Sequence, residues 1–221
     1  MTRSRRKRRN LSEYTLSEEL VNAISHGIGF GLAIAGGVLC IIKAASLHGA
    51  WEVVAASLYL VYTMSYYCLS TLHHAFSSQS GAKTVFRKIS NSFSYVLIMG
   101  VYLPYVFGPL LGVHGWIMFG VAWLVAATGI VFSCVDCKIS NIMRYASYVV
   151  LALGLLVEAK TLIQTCGIQT LYFFVGAGLL YTVSAIIFGI KNRKKYFHSV
   201  FHFLCIGASV LYFFGIYLYV L

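Results

Sequence analysis

The sequence predicts an all-α integral membrane bundle of seven transmembrane helices with a cytoplasmic N-terminus, and three observations carry that prediction. Apolar residues make up 59% of the chain and charged residues 10%, with a mean hydropathy of +0.80. A soluble domain carries about 25% charged residues, so a water-soluble body of 221 residues would lack the polar surface to cover itself. Seven stretches match the roughly 20 apolar residues that a spanning helix needs. Finally, 15 of the 17 lysines and arginines fall on one side of the bilayer when those stretches are threaded through it.

The spans are expected near 23–46, 51–74, 89–111, 115–134, 144–163, 168–190 and 197–221. The first follows Glu18 and Glu19, is too long for a signal-peptide core and has no cleavage-like end, so it reads as a retained helix. Gly27, Gly31 and Ala35, four apart, give it a face that a neighbour can approach closely. The second opens at Trp51, suited to the headgroup region, and ends in Ser70-Thr71-Leu72-His73-His74. The third contains Pro104, which lacks a backbone donor and is expected to kink it. The fourth begins beside Trp116 and ends at Cys134 of a Cys134-x-x-Cys137 pair. With no second pair and no thioredoxin-like context, these cysteines are expected to behave as small apolar side chains. The last three spans complete an odd number, with Tyr196 at the headgroup level before the seventh.

Long continuous apolar runs argue against the alternating strands of a barrel. Short connections leave one transmembrane domain, 17–221, behind a basic cytoplasmic segment, 1–16. No internal repeat suggests a transporter with inverted halves.

Orientation follows from the charges, because short cytoplasmic loops retain lysine and arginine. The N-terminal segment holds Arg3, Arg5, Arg6, Lys7, Arg8 and Arg9. Lys83, Arg87 and Lys88 follow the second span; Lys138 and Arg144 the fourth; Lys191, Arg193, Lys194 and Lys195 the sixth. Lys43 and Lys160 lie near the opposite ends of their helices, where they can snorkel. The C-terminus is therefore expected on the far side. The net charge of +11 is assigned to topology and to anionic lipid headgroups, not to nucleic acid.

Ionisable groups inside spans are functional candidates by default. Five of the seven histidines, His26, His73, His74, His198 and His202, fall at cytoplasmic helix ends; His48 and His114 fall in outer loops, where solvation is expected. His198 and His202 are four apart, one turn along a single helix face. Such a pair serves either as hydrogen-bonded interface histidines or as half a zinc site. Topology alone places His74 at the same depth, with Ser70 one turn before it. Three imidazoles could give zinc three ligands and leave one position open, the arrangement of a catalytic site.

Ser17-Glu18-Glu19-Leu20-Val21-Asn22-Ala23-Ile24-Ser25-His26-Gly27, Ser70 to His74, Gly100-Val101-Tyr102-Leu103-Pro104, Gly178-Leu179-Leu180-Tyr181-Thr182 and His198-Ser199-Val200-Phe201-His202 follow one another along the chain in a specific order and spacing. In these segments the sequence resembles the hemolysin III family, the bacterial branch of the progestin and adipoQ receptor superfamily. The resemblance implies a seven-helix fold in a bacterial plasma membrane. It implies a zinc ion held by His74, His198 and His202 with Ser70 beside it, and metal-dependent hydrolysis of a lipid amide or ester. One position departs from the family pattern, which reads Asp-His-Ser before the third span's Gly-x-Tyr-x-Pro. Here the register gives Ser90-Asn91-Ser92, so Ser90 stands where the acid is expected, and serine is a poor general base at neutral pH. Glu19, Asn22 and His26 share a face of the first helix; polar packing is their expected role, replacement of the missing base or a fourth ligand the other.

Three functions are consistent with these residues. The first is a zinc-dependent membrane hydrolase, with Ser70 and Ser90 as its candidate catalytic side chains. The second is a non-enzymatic lipid-sensing or regulatory protein with a structural zinc. The third is a pore-forming cytolysin, although no span shows the continuous polar stripe of a water-filled path. A retinal photoreceptor is excluded, because the seventh span contains no lysine for a Schiff base.

Overall fold

A computed structural model describes residues 14–77, 80–135, 139–190 and 194–221. The basic run Arg3 to Arg9 and its expected headgroup contacts, Asp136, Cys137, Lys138, Lys191 and Arg193 lie outside the described residues.

Thr15 starts the first helix, α1 (Leu16–Leu47). Its side chain caps the Glu18 N–H while the Glu18 carboxylate returns to the Thr15 N–H at 2.9 Å, a capping box that satisfies donors the helix start leaves open. α2 runs Ala50–Ala75, α3 Gly81–Phe107 from a Ser80 cap, and α4 Val113–Cys134. α5 (Ser140–Leu153) continues through a 3-10 turn, Gly154–Glu158, into α6 (Ala159–Cys166), and the three together form one span. α7 is Ile168–Gly189 and α8 Phe197–Gly215, extended by a π turn to Val220. Seven helical segments are therefore long and apolar enough to cross a bilayer, and no strand occurs among the described residues.

Successive helices pack side by side, α1 on α2, α2 on α3, α3 on α4 and α4 on α5; α5 and α7 then pack together, α7 on α8, and α8 on α1 closes the ring. α3 sits innermost, with 67% of its apolar window buried, and α4 outermost with 17%. Tyr67, Tyr95, Tyr102, Tyr105, Tyr181 and Tyr212 are fully buried in the interior. Hydroxyls buried that deep usually find partners, and the break in α5 supplies two of them. Carbonyls at a helix end lose part of their α-helical bonding, and that of Leu151 takes the Gly154 N–H of the following 3-10 turn. Here the Tyr102 hydroxyl donates to the Leu151 carbonyl at 2.8 Å and the Tyr212 hydroxyl to that of Ala152 at 3.0 Å.

The small residues of α1 act at different positions from those the four-residue spacing predicts. Gly31 and Ala35 face outward and meet no close neighbour at Gly31. Close approach falls instead at Gly29, where a Cβ would lie 2.7 Å from the Tyr67 ring, and at Gly37, 2.6 Å from Leu60. The face that packs on α2 is thus offset from the Gly27, Gly31, Ala35 face. Pro104 is buried one turn before α3 ends, and His48, at the end of α1, bonds the Leu221 carbonyl.

Candidate metal centre

Three helices bring their polar ends together. His74 comes from the last turn of α2, and His198 and His202 from the first turns of α8. Ligand nitrogens of the three lie within 4.8 Å of one another, and all three residues are buried. The ring centroids of His198 and His202 are 4.7 Å apart, of His74 and His202 4.8 Å, and of His74 and His198 5.3 Å. Zinc bonds imidazole nitrogen at about 2.0–2.1 Å, so tetrahedral ligands stand about 3.4 Å from one another. Small side-chain rotations span that difference. Buried polar atoms normally find partners, yet His202 Nδ1 has none among the protein groups. A trio of imidazoles with an unpartnered nitrogen suits a borderline-soft divalent ion such as zinc.

α1 supplies the back wall. His26, fully buried, places Nδ1 2.6 Å from Ser70 Oγ and lays its ring over His202 with centroids 3.7 Å apart. Asn22 Oδ1 accepts the Ser199 hydroxyl at 2.6 Å, pinning α8 to α1 beside the cluster. Glu19 Oε2 lies 2.7 Å from His74 Nδ1. Its Oε1 meets Lys83 Nζ at 2.8 Å as an ion pair without aligned hydrogen-bond geometry.

The cluster opens into a cavity of about 120 Å³. Tyr66, Tyr95, Tyr148, Ala185, Phe188 and Phe201 give it apolar walls, while Ser70, Ser90, Asn91, Ser94, Arg87 and Arg144 bring polar groups. Tyr14 stacks on His198 at 4.8 Å between centroids. The arrangement therefore offers three clustered nitrogen donors at the wall of an amphiphilic chamber.

Of the sequence-derived candidates, His74, His198 and His202 meet in one group. Ser70 and Ser90 line the same cavity, and Ser90 is buried there. His73 also lines it but turns Nδ1 to the Lys83 carbonyl at 3.3 Å, away from the ligand group. Among the described residues the ligand group contains no carboxylate. Lys83, Arg87, Arg144 and Tyr14 are site residues that the sequence reading missed: the three cations were assigned to topology. Their signal was position, since all three lie on helix starts at the depth of the histidines.

A multi-pass α-helical membrane protein with a buried three-histidine cluster at one end of its bundle is the class that fold and site define. Residues 14–213 match the family model described as "Haemolysin-III related". The chain is 33% identical over 207 residues to "Hemolysin-3 homolog" of Bacillus subtilis (strain 168), covering 93% of this chain and 96% of that protein. It is 31% identical over 211 residues to "Hemolysin-3" of Bacillus cereus, covering 93% of each. The chain belongs to the haemolysin III family, within the progestin and adipoQ receptor superfamily.

Proposed function

We propose that this protein binds zinc through His74, His198 and His202 and uses it to hydrolyse a lipid amide or ester at the inner face of a bacterial plasma membrane. The observation that carries the reading is the meeting of three buried histidines from two helices at the wall of an amphiphilic cavity. Held by His74, His198 and His202, zinc would supply a Lewis acid for a carbonyl and a more acidic water. The chain's own groups have separable tasks. Ser70, fixed by His26, presents a hydroxyl beside the cluster. The aromatic wall takes an acyl chain and excludes water, while Ser90, Asn91 and the arginines meet polar parts of the substrate. The charge of the basic loops supports a cytoplasmic position for this end, where anionic headgroups would surround it.

Zinc content of detergent-purified protein, prepared without chelator and measured by mass spectrometry, tests the foundation. One zinc per chain in the wild type and none in His74→Ala is expected; a metal-free wild type ends the reading.

Ser90 favours a second reading, in which the zinc is structural and the protein senses or regulates membrane lipid. A hydroxyl at the position of the family's acid accepts a proton poorly at neutral pH. Assay against lipid amides and esters separates the two. The hydrolase reading expects turnover lost in His202→Ala and increased in Ser90→Asp. The regulatory reading expects none in either and a lower thermal midpoint for the histidine variants. A cytolysin, prompted by the name of the Bacillus cereus relative, has less support, because buried tyrosines occupy the interior between the bundle's ends. Dye leakage from sealed vesicles on reconstitution would favour it.

A further inference from the structure

Glu18 and Glu19 are adjacent and buried on α1, yet they serve different partners. Glu18 closes the capping box with Thr15 and accepts the Tyr196 N–H at 2.8 Å, joining α1 to the turn before α8. Glu19 points into the gap between α2 and α3. One oxygen lies 2.7 Å from His74 Nδ1; the other pairs with Lys83 at 2.8 Å. Lys83 also donates to the carbonyls of His73 and Phe76, each at 3.2 Å, at the end of α2.

We propose that Glu19 is the positioning carboxylate of the metal centre, orienting His74 from behind, with Lys83 holding that carboxylate in place. The proposal rests on the reading of His74, His198 and His202 as a metal site. A carboxylate has only acceptors to offer, so a hydrogen bond to Nδ1 requires the His74 proton there. The lone pair is then on Nε2, across the ring and free for a metal. An outer carboxylate on a ligating histidine fixes its tautomer and ring angle and raises its basicity. Lys83 completes the device, because a carboxylate buried alone would be costly and a paired one is far less so. With both oxygens engaged behind His74, Glu19 is also the wrong group to replace the acid missing at Ser90.

The test is zinc affinity of the full-length protein in detergent, by competition with a chromophoric chelator, together with the visible spectrum of the cobalt-loaded form. Glu19→Gln is expected to weaken zinc about 10–100-fold and to alter the cobalt bands. Glu18→Gln, which touches only the cap and Tyr196, is expected to match the wild type in both. Glu19→Asp, which keeps the charge, is expected to recover part of the loss. Should Glu19→Gln misfold, the charge-neutral pair Glu19→Gln/Lys83→Met removes the same carboxylate without leaving a buried cation alone, and is expected to show the same weakening. Wild-type affinity in Glu19→Gln or in the pair overturns the proposal, as do equal losses in Glu18→Gln and Glu19→Gln. A wild-type protein without zinc overturns the metal centre itself. That result is distinct from an intact centre indifferent to Glu19.

Discussion

In the middle of the bundle, four buried phenols have partners, while the Tyr105 hydroxyl has none. Tyr102 and Tyr212 donate to carbonyls at the break in α5, and the Tyr67 and Tyr181 hydroxyls meet Ser209 Oγ at 2.7 and 2.8 Å. At the histidine end, equally buried rings leave nitrogens open, with His26 Nε2 and His202 Nδ1 lacking a protein partner. Partnered groups in a water-poor interior fix one packing arrangement. An unpartnered buried nitrogen carries a desolvation cost that a bound ligand would relieve. The contrast is one of degree: most interior phenols tie helices together, whereas the histidine end gathers donors that the proposed ion would use.

The largest expected effect is at the open end. His202→Ala removes one of the three proposed ligands, so zinc affinity should fall by more than the ~10–100-fold that loss of a supporting partner costs. Competition titration checks this, and unchanged affinity would erase the distinction between the two regions. Second in size, Gly178→Ala strikes the middle, where a Cβ would sit 2.8 Å from the Ala152 carbonyl oxygen. Backbone gives way poorly, and overpacking costs about 1–3 kcal/mol. The thermal midpoint in detergent should drop while zinc per folded chain stays constant. The smallest is Tyr212→Phe, which deletes one hydrogen bond worth about 1 kcal/mol. Its midpoint should fall slightly, again with zinc retained; a loss of zinc there would mean that the two regions are energetically one.

Much of this was legible in the sequence, because bilayers impose simple rules. Span number followed from apolar run length. The common depth of His74, His198 and His202 followed from loop charge and four-residue spacing, and the structure brings these three together. Helix starts were less legible. α1 begins at Leu16 and α3 at Gly81, seven and eight residues before the apolar runs suggest. Polar helical turns carry on past the hydrocarbon, and a hydropathy window registers only the apolar part. Thr15-x-x-Glu18, a capping-box pattern, marks the first of these starts, a signal that the apolar runs do not carry. Helix rotation was least legible. Spacing placed Gly27, Gly31 and Ala35 on one face without saying which face meets α2. Charge counting, in turn, put Lys83 among the orientation signals without showing that it holds Glu19.

The closure of the ring by α8 against α1 has a consequence for how the protein is made. Two of the three clustered imidazoles sit on the final helix, while their support, Glu19, Asn22 and His26, sits on the first. During synthesis the earlier spans must therefore reside in the bilayer with a half-built, polar-edged socket until α8 arrives. If the cluster holds a metal as proposed, loading would report that insertion is finished, and a chain stalled before Phe197 would have every other span yet lack two of the three histidines.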